Sequence, residues 1–187
     1  MTPDADANLV EADRISAILG SCQVRVLVIG AVALAAHRYI RATLDIDLGV
    51  NVAVREMKGL EERLRTEGYV TVLHEPDGDD PLGGVIDVCG ASGLIQIVNF
   101  GDRFPAVIQD AFEGEVILVR PDLTLRVVPL PQLVVLKLYA GGVKSLADIV
   151  ELLRRNPEAD LQEIGKVCRK YRLRGWNRVL AELEQGL

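Results

Sequence analysis

Apolar residues fall into short blocks whose period changes along the chain, and the changes predict the elements. Residues 8–19 place Leu9, Ile15, Ile18 and Leu19 on one side of a short helix. Val24 to Ile29 is a Val- and Ile-rich run, the mark of a buried strand, and Gly30 punctuates its end. Ala31 to Tyr39 continues as an Ala-rich helix, and Leu44 to Val50 as a second strand. Glu56 to Glu67 reads as a charged amphipathic helix closed by Gly68, a suitable C′ residue. Tyr69 to Leu73 forms a third strand, and Glu75 to Gly84, crowded with Asp, Gly and Pro, a loop. Val85–Cys89 and Leu94–Phe100 read as a hairpin joined by Gly90-Ala91-Ser92-Gly93. Phe104–Phe112 suits a helix, and Glu115–Val119 and Leu123–Val128 suit strands. From Pro131 the pattern is helical to the end, with breaks near Gly141-Gly142, Asn156-Pro157 and Arg174-Gly175. The expected class is α/β (α+β): a mixed sheet flanked by helices in residues 1–130, with a helical extension, 131–187, packed on it.

One strand carries chemistry. In Leu44-Asp45-Ile46-Asp47-Leu48 apolar and acidic residues alternate, so Asp45 and Asp47 share the face opposite Leu44, Ile46 and Leu48. Their backbones lie about 6.5 Å apart, and two carboxylates so close repel unless a cation relieves them. Magnesium takes such oxygen ligands at about 2.0–2.1 Å. The plain alternative is two solvated aspartates on the exposed face of an edge strand. What favours chemistry is Val24 to Ala31, which puts Gly30 at a strand-to-helix turn. Backbone N–H groups and helix polarity favour phosphate there, and a glycine permits its close approach.

Other residues are more equivocal. Lys137 interrupts an apolar helical run, either as a snorkelling side chain or as a functional cation. Asp148 falls opposite the Leu146, Ile149, Val150 and Leu153 stripe, so it is expected to face away from its helix's core. A Lys144–Asp148 i,i+4 ion pair would explain it equally well. Arg41 either contacts phosphate or pairs with an acidic neighbour. His37 and His74 suggest no shared site, and Trp176 reads as an anchor for the last helix. No G-x-S-x-G, C-x-x-C, P-loop or dinucleotide fingerprint is present.

Charge and composition narrow the picture. The formal net charge of −6 argues against a surface that binds nucleic acid all over. Arg154 to Arg178 nevertheless carries eight Lys/Arg against three acids, a local +5 that could meet RNA phosphates or simply be solvated. The three cysteines, Cys22, Cys89 and Cys168, lack a metal-ligand spacing and suggest a reduced, cytoplasmic setting. The longest apolar stretch, Val26 to Ala36, is 11 residues, whereas a membrane helix needs about 20. No membrane association is expected, and the acidic Met1–Asp13 lacks the order of a signal peptide.

Ile29-Gly30-Ala31 through Arg41-Ala42-Thr43-Leu44-Asp45-Ile46-Asp47-Leu48 resembles the opening motif of minimal nucleotidyltransferases in the DNA polymerase beta-like superfamily, and of AbiEii-type toxins among them. Leu133 to Ala140, then Lys144 to Ile149, resembles a later Lys/Asp motif of those proteins, so that the likeness spans residues 24–153. The resemblance implies a nucleotidyltransferase-like core using Mg²⁺ or Mn²⁺ and an NTP. Gly30 and Ala31 would hold the triphosphate, with Arg41 and Thr43 beside them; Asp45 and Asp47 would hold metal, and Lys137 would approach a phosphate or support the site. The implied reaction moves a nucleoside monophosphate to a hydroxyl of RNA or protein. Ala31 stands where a second Gly or a Ser is usual, and Gly142 and Ser145 where Arg and Asp are common. Gln96 stands where a third metal-binding Asp is expected, with Asp87 on the partner strand as a replacement. That departure keeps two alternatives open: a catalytically degenerate binding module, and a toxin–antitoxin component with an antitoxin-like partner.

Overall fold

The computed structural model describes residues 3–41, 43, 45–78, 81–90 and 93–185. Ala42 and Leu44 of the first motif, Asp79 and Asp80 of the long loop, and Ala91 and Ser92 of the hairpin turn lie outside the described residues. So do residues 1, 2, 186 and 187.

Among the described residues one mixed sheet runs through the molecule. Its strands are β1 (Leu27–Ile29), β2 (Ile46–Val50), β3 (Val70–His74), β4 (Val85–Cys89), β5 (Leu94–Asn99), β6 (Ile117–Leu118) and β7 (Arg126–Val127), in the order β3-β4-β5-β2-β1-β7-β6. β2 pairs parallel with β5 and antiparallel with β1, so it is a central strand rather than an edge. The helices are α1 (Pro3–Ser21), α2 (Gly30–Ala36), α3 (Met57–Thr66), α4 (Pro105–Glu113), α5 (Leu130–Ala140), α6 (Gly142–Arg154), α7 (Leu161–Lys170) and α8 (Trp176–Glu184).

Strand alternation divides the apolar residues between two cores. Ile46, Leu48, Val50, Ile86, Val88, Ile95 and Ile97 bury one sheet face under α1 and α3, against Ile15, Leu19, Leu60 and Leu64. On the opposite face Leu27 and Ile29 pack beneath α2, α4 and α5, against Leu34, Ile108, Leu133 and Val134. The four C-terminal helices join that second core, where Trp176 is buried as an anchor. Helical cover reaches Gly49 of β2 and Val98 of β5, but nearer the start of β2 this face presents Asp47, Gln96 and Asp87 side by side across β2, β5 and β4, only half-buried.

Strands β1, β2, β6 and β7 and helix α2 are all shorter than their apolar patterns, and for β1 and α2 the backbone shows why. The Val24–Ile29 run becomes strand only at Leu27, because the Val24 N–H closes α1 by donating to Leu19 O at 3.0 Å, with Gln23 left-handed at φ 63°. Likewise α2 stops at Ala36: Arg38 is left-handed, and the Tyr39 N–H returns to Leu34 O at 2.9 Å. That second cap frees Tyr39 and Arg41 to leave the helix axis and turn toward α6. No described helix is long and apolar enough to cross a membrane.

Candidate functional site

The register of β1 on β2 sets Ile29 opposite Asp47, which brings the Asp47 carboxylate over the next residue, Gly30. A Cβ on Gly30 would overlap Asp47 Oδ2 and lie 2.7 Å from its Cγ, and Gly30 has φ +65°. Only glycine meets both demands. The Ala31 N–H donates to the same carboxylate. The glycine turn and the second aspartate are therefore in direct contact, and one of the turn's N–H donors is already taken by an anion.

Burial raises the Asp47 pKa above its ordinary 3.8; the Lys137 cation opposes this, the Asp45 charge reinforces it, and Arg41 and the Ala31 N–H oppose it. Asp45 is exposed just ahead of β2, and its N–H donates to Thr43 Oγ1 at 3.2 Å. Thr43 thus braces the backbone that presents Asp45.

Gln96 stands directly beside Asp47 in the β2–β5 ladder, and Asp87 directly beside Gln96 in the β4–β5 ladder. Asp87 is fully engaged: Oδ1 accepts from Gln96 Nε2 at 2.8 Å, and Oδ2 contacts His74 Nε2 at 2.9 Å. Two strand spacings, about 9.6 Å, separate the Asp87 and Asp47 backbones. Among the described residues no group of three or more His, Cys, Asp or Glu is arranged to hold a metal ion. The donors that remain are the two carboxylates Asp45 and Asp47. Such a pair fits Mg²⁺, which takes one or two protein carboxylates and fills its octahedron with water and substrate phosphate.

Asp148 corrects the reading of a single helix. It is buried, not turned to solvent, and its partners are not Lys144. Its carboxylate accepts from Lys137 Nζ at 2.7 Å, from Arg41 Nη1 at 2.9 and 3.3 Å, and from Tyr39 Oη at 3.4 Å. The side chains of Asp148 and Lys137 are only 5% and 15% exposed. Burial first, and then the Asp148 charge, raises the Tyr39 pKa. Both cations also act electrostatically on Asp47, so they stand between one buried carboxylate and one half-buried one. Arg41 has an acidic neighbour after all, but one that no local sequence pattern identifies. His37 has no such role: it is buried, with Nε2 on Val128 O at 2.8 Å.

This arrangement of strands, turn and helices is that of a nucleotidyltransferase fold. The crystal structure of ANT(2'')-Ia in complex with adenylyl-2''-tobramycin is similar at TM-score 0.57 and 16% identity, over 89% of this chain and 97% of that one. The solution structure of the same antibiotic-resistance factor gives 0.54 and 15%, over 97% of both chains. An antigenic nucleotidyltransferase-like protein from Paracoccidioides brasiliensis gives 0.55 and 13%, over 91% and 88%. No family model matches the chain, and no curated protein matches it in sequence.

Two predictions follow from the charges. Because folding raises the Asp47 pKa, its protonation stabilises the fold fully below the ordinary carboxylate pKa, and that contribution is lost as pH rises through the folded value. Asp47→Asn, which keeps an acceptor for Ala31 but never ionises, should melt above the wild type at pH 7.5 and with it near pH 3. A wild type that is the more stable at pH 7.5 without metal contradicts this. Asp148→Ala strands the Lys137 charge in a buried setting and should cost about 3–5 kcal/mol in urea unfolding; a loss below about 1 kcal/mol would show the pair to be solvated.

Proposed function

We propose that the chain is a metal-dependent nucleotidyltransferase that moves a nucleoside monophosphate from an NTP to a hydroxyl acceptor, RNA or protein. The observation that carries the reading is the contact of Asp47 with the Gly30–Ala31 turn. Metal-binding and phosphate-binding groups must be neighbours for this chemistry, and the two ends of the opening motif meet there.

Asp45 and Asp47 would hold Mg²⁺ or Mn²⁺, which activates the hydroxyl and stabilises charge on the leaving oxygens. Gly30 leaves room for a phosphate at the turn. Lys137 and Arg41 offer N–H donors not used by Asp148 to the negative charge of the triphosphate. In the reaction the acceptor hydroxyl releases its proton to solvent as its oxygen bonds to the α-phosphorus, the bond from that phosphorus to the oxygen bridging to the β-phosphate breaks, and pyrophosphate leaves. In-line positioning supplies much of the rate.

The fold similarity to ANT(2'')-Ia, seen with an adenylylated product, supports the reaction class and leaves the acceptor open. The order of the Lys137 and Asp148 motifs supports the finer likeness to AbiEii-type toxins, and with it a cytoplasmic protein with an antitoxin-like partner. Gln96, a neutral amide beside Asp47, favours a second reading: a binding module that retains the nucleotide but not turnover.

Purified protein incubated with labelled NTPs, Mg²⁺ or Mn²⁺, total RNA and cell extract should transfer label and release pyrophosphate. Asp45→Asn/Asp47→Asn should lose at least about 10²-fold in rate, the scale of several kcal/mol of metal stabilisation. Mg-NTP binding without pyrophosphate release would select the binding module. Equal labelling by the wild type and the double variant would remove the site assigned here.

A further inference from the structure

Between Ile164 and Ala181 the sequence has six Lys or Arg and no acidic residue, in a chain whose total charge is −6. All six are exposed on α7, the α7–α8 turn and the start of α8. Lys166 is paired with Glu163 at 3.0 Å, and Lys170 with Asp110. The other four, Arg169, Arg172, Arg174 and Arg178, have no carboxylate within ion-pair distance among the described residues. A surface cation that serves only solubility is as well supplied by lysine, and acids are normally interspersed with it. Four unpaired arginines in ten residues present flat guanidinium forks, which match phosphate oxygens two at a time.

One of the four, Arg178, reaches toward the candidate site, whereas Arg169 lines a separate groove with Gly165 and Trp176. Arg178 and Arg154 line a cleft of about 620 Å³ whose apolar floor is Leu146 and Val150 of α6, and whose far wall is Tyr39. The Tyr39 hydroxyl reaches Asp148, which holds Lys137 and Arg41 against the field of Asp47. The cleft's two carboxylates are Glu151, held by Arg155 at 2.7 Å, and Glu182. Cations gathered beside an aromatic and aliphatic cleft are what a single-stranded polynucleotide needs, since its phosphates are anionic and its bases have apolar faces.

We propose that the arginine-rich α7–α8 segment, together with the Tyr39 cleft that Arg178 lines, docks single-stranded RNA. The assignment of that RNA as acceptor, with its terminal hydroxyl led past Tyr39 toward Asp47, rests on the nucleotidyltransferase reading; the docking itself does not. An acidic protein would satisfy the arginines but not the apolar floor.

Fluorescence anisotropy of the full chain with a labelled single-stranded RNA of about 12 nucleotides tests the docking without metal or NTP. Four phosphate contacts predict an affinity that falls about 50-fold from about 50 to about 200 mM salt. Changing Arg169, Arg172, Arg174 and Arg178 to Gln should remove most of that salt dependence and at least about 10-fold of the low-salt affinity. The matching change of all four to Lys should retain the salt dependence, which separates loss of charge from loss of fold. Absence of salt-dependent RNA binding, a Gln variant that binds like the wild type, or polyglutamate competing as well as unlabelled RNA would each overturn the proposal. RNA bound as described but never labelled, with any NTP, would sink RNA as the acceptor and leave the docking surface standing.

Discussion

A missing methyl group permits the site. The antiparallel register of β1 and β2 sets the Asp47 carboxylate over the turn into α2, and any Cβ at Gly30 would collide with it. The carboxylate takes the Ala31 N–H, which offsets part of the cost of burying it, and burial still leaves its pKa raised. An acid held in this way is poised: it gains by sharing its charge with a cation, and in the proposed reaction the turn beside it receives phosphate oxygens. A metal–phosphate ligand would satisfy both needs together.

Asp148 gives the opposite side of the site its geometry. One carboxylate gathers Tyr39 and Arg41 from the link between α2 and β2, and Lys137 from α5, onto α6. A buried ion pair is seldom the most stabilising filling for such a space, since apolar residues often do as well. What it supplies is register: two cations are held at fixed positions facing Asp47, and the C-terminal helices cannot slide relative to the β1–α2–β2 unit without breaking those bonds.

Much of this was legible in the sequence because it is local. The Val/Ile runs, the Gly68 cap, the hairpin strands and the strand that carries Asp47 depend on periods of two or 3.6 residues, and the structure has elements at each, although Asp45 falls just ahead of β2. The sheet order could not be read, so Gln96 was placed beside Asp47 only through family resemblance; the β2–β5 ladder now puts the two side by side. The short strand β1 and the early end of α2 were missed because Gln23 and Arg38 adopt left-handed conformations more usual for glycine. Asp148 was missed for a different reason. Helical periodicity reports only which face of α6 meets its own apolar neighbours, whereas the partners of Asp148 lie 11, 107 and 109 residues away. A lysine interrupting an apolar helix and an aspartate on the next helix were the available signals, and pairing them would have found the network.

The most direct test of the account is the affinity for Mn²⁺, read by electron paramagnetic resonance, with and without ATP. A site of two carboxylates, completed by water and phosphate oxygens, should hold Mn²⁺ weakly alone and markedly tighter with ATP, and Asp45→Asn/Asp47→Asn should abolish both. Equal affinity with and without ATP, or binding unchanged in the double variant, would contradict a metal–nucleotide site at Gly30 and Asp47.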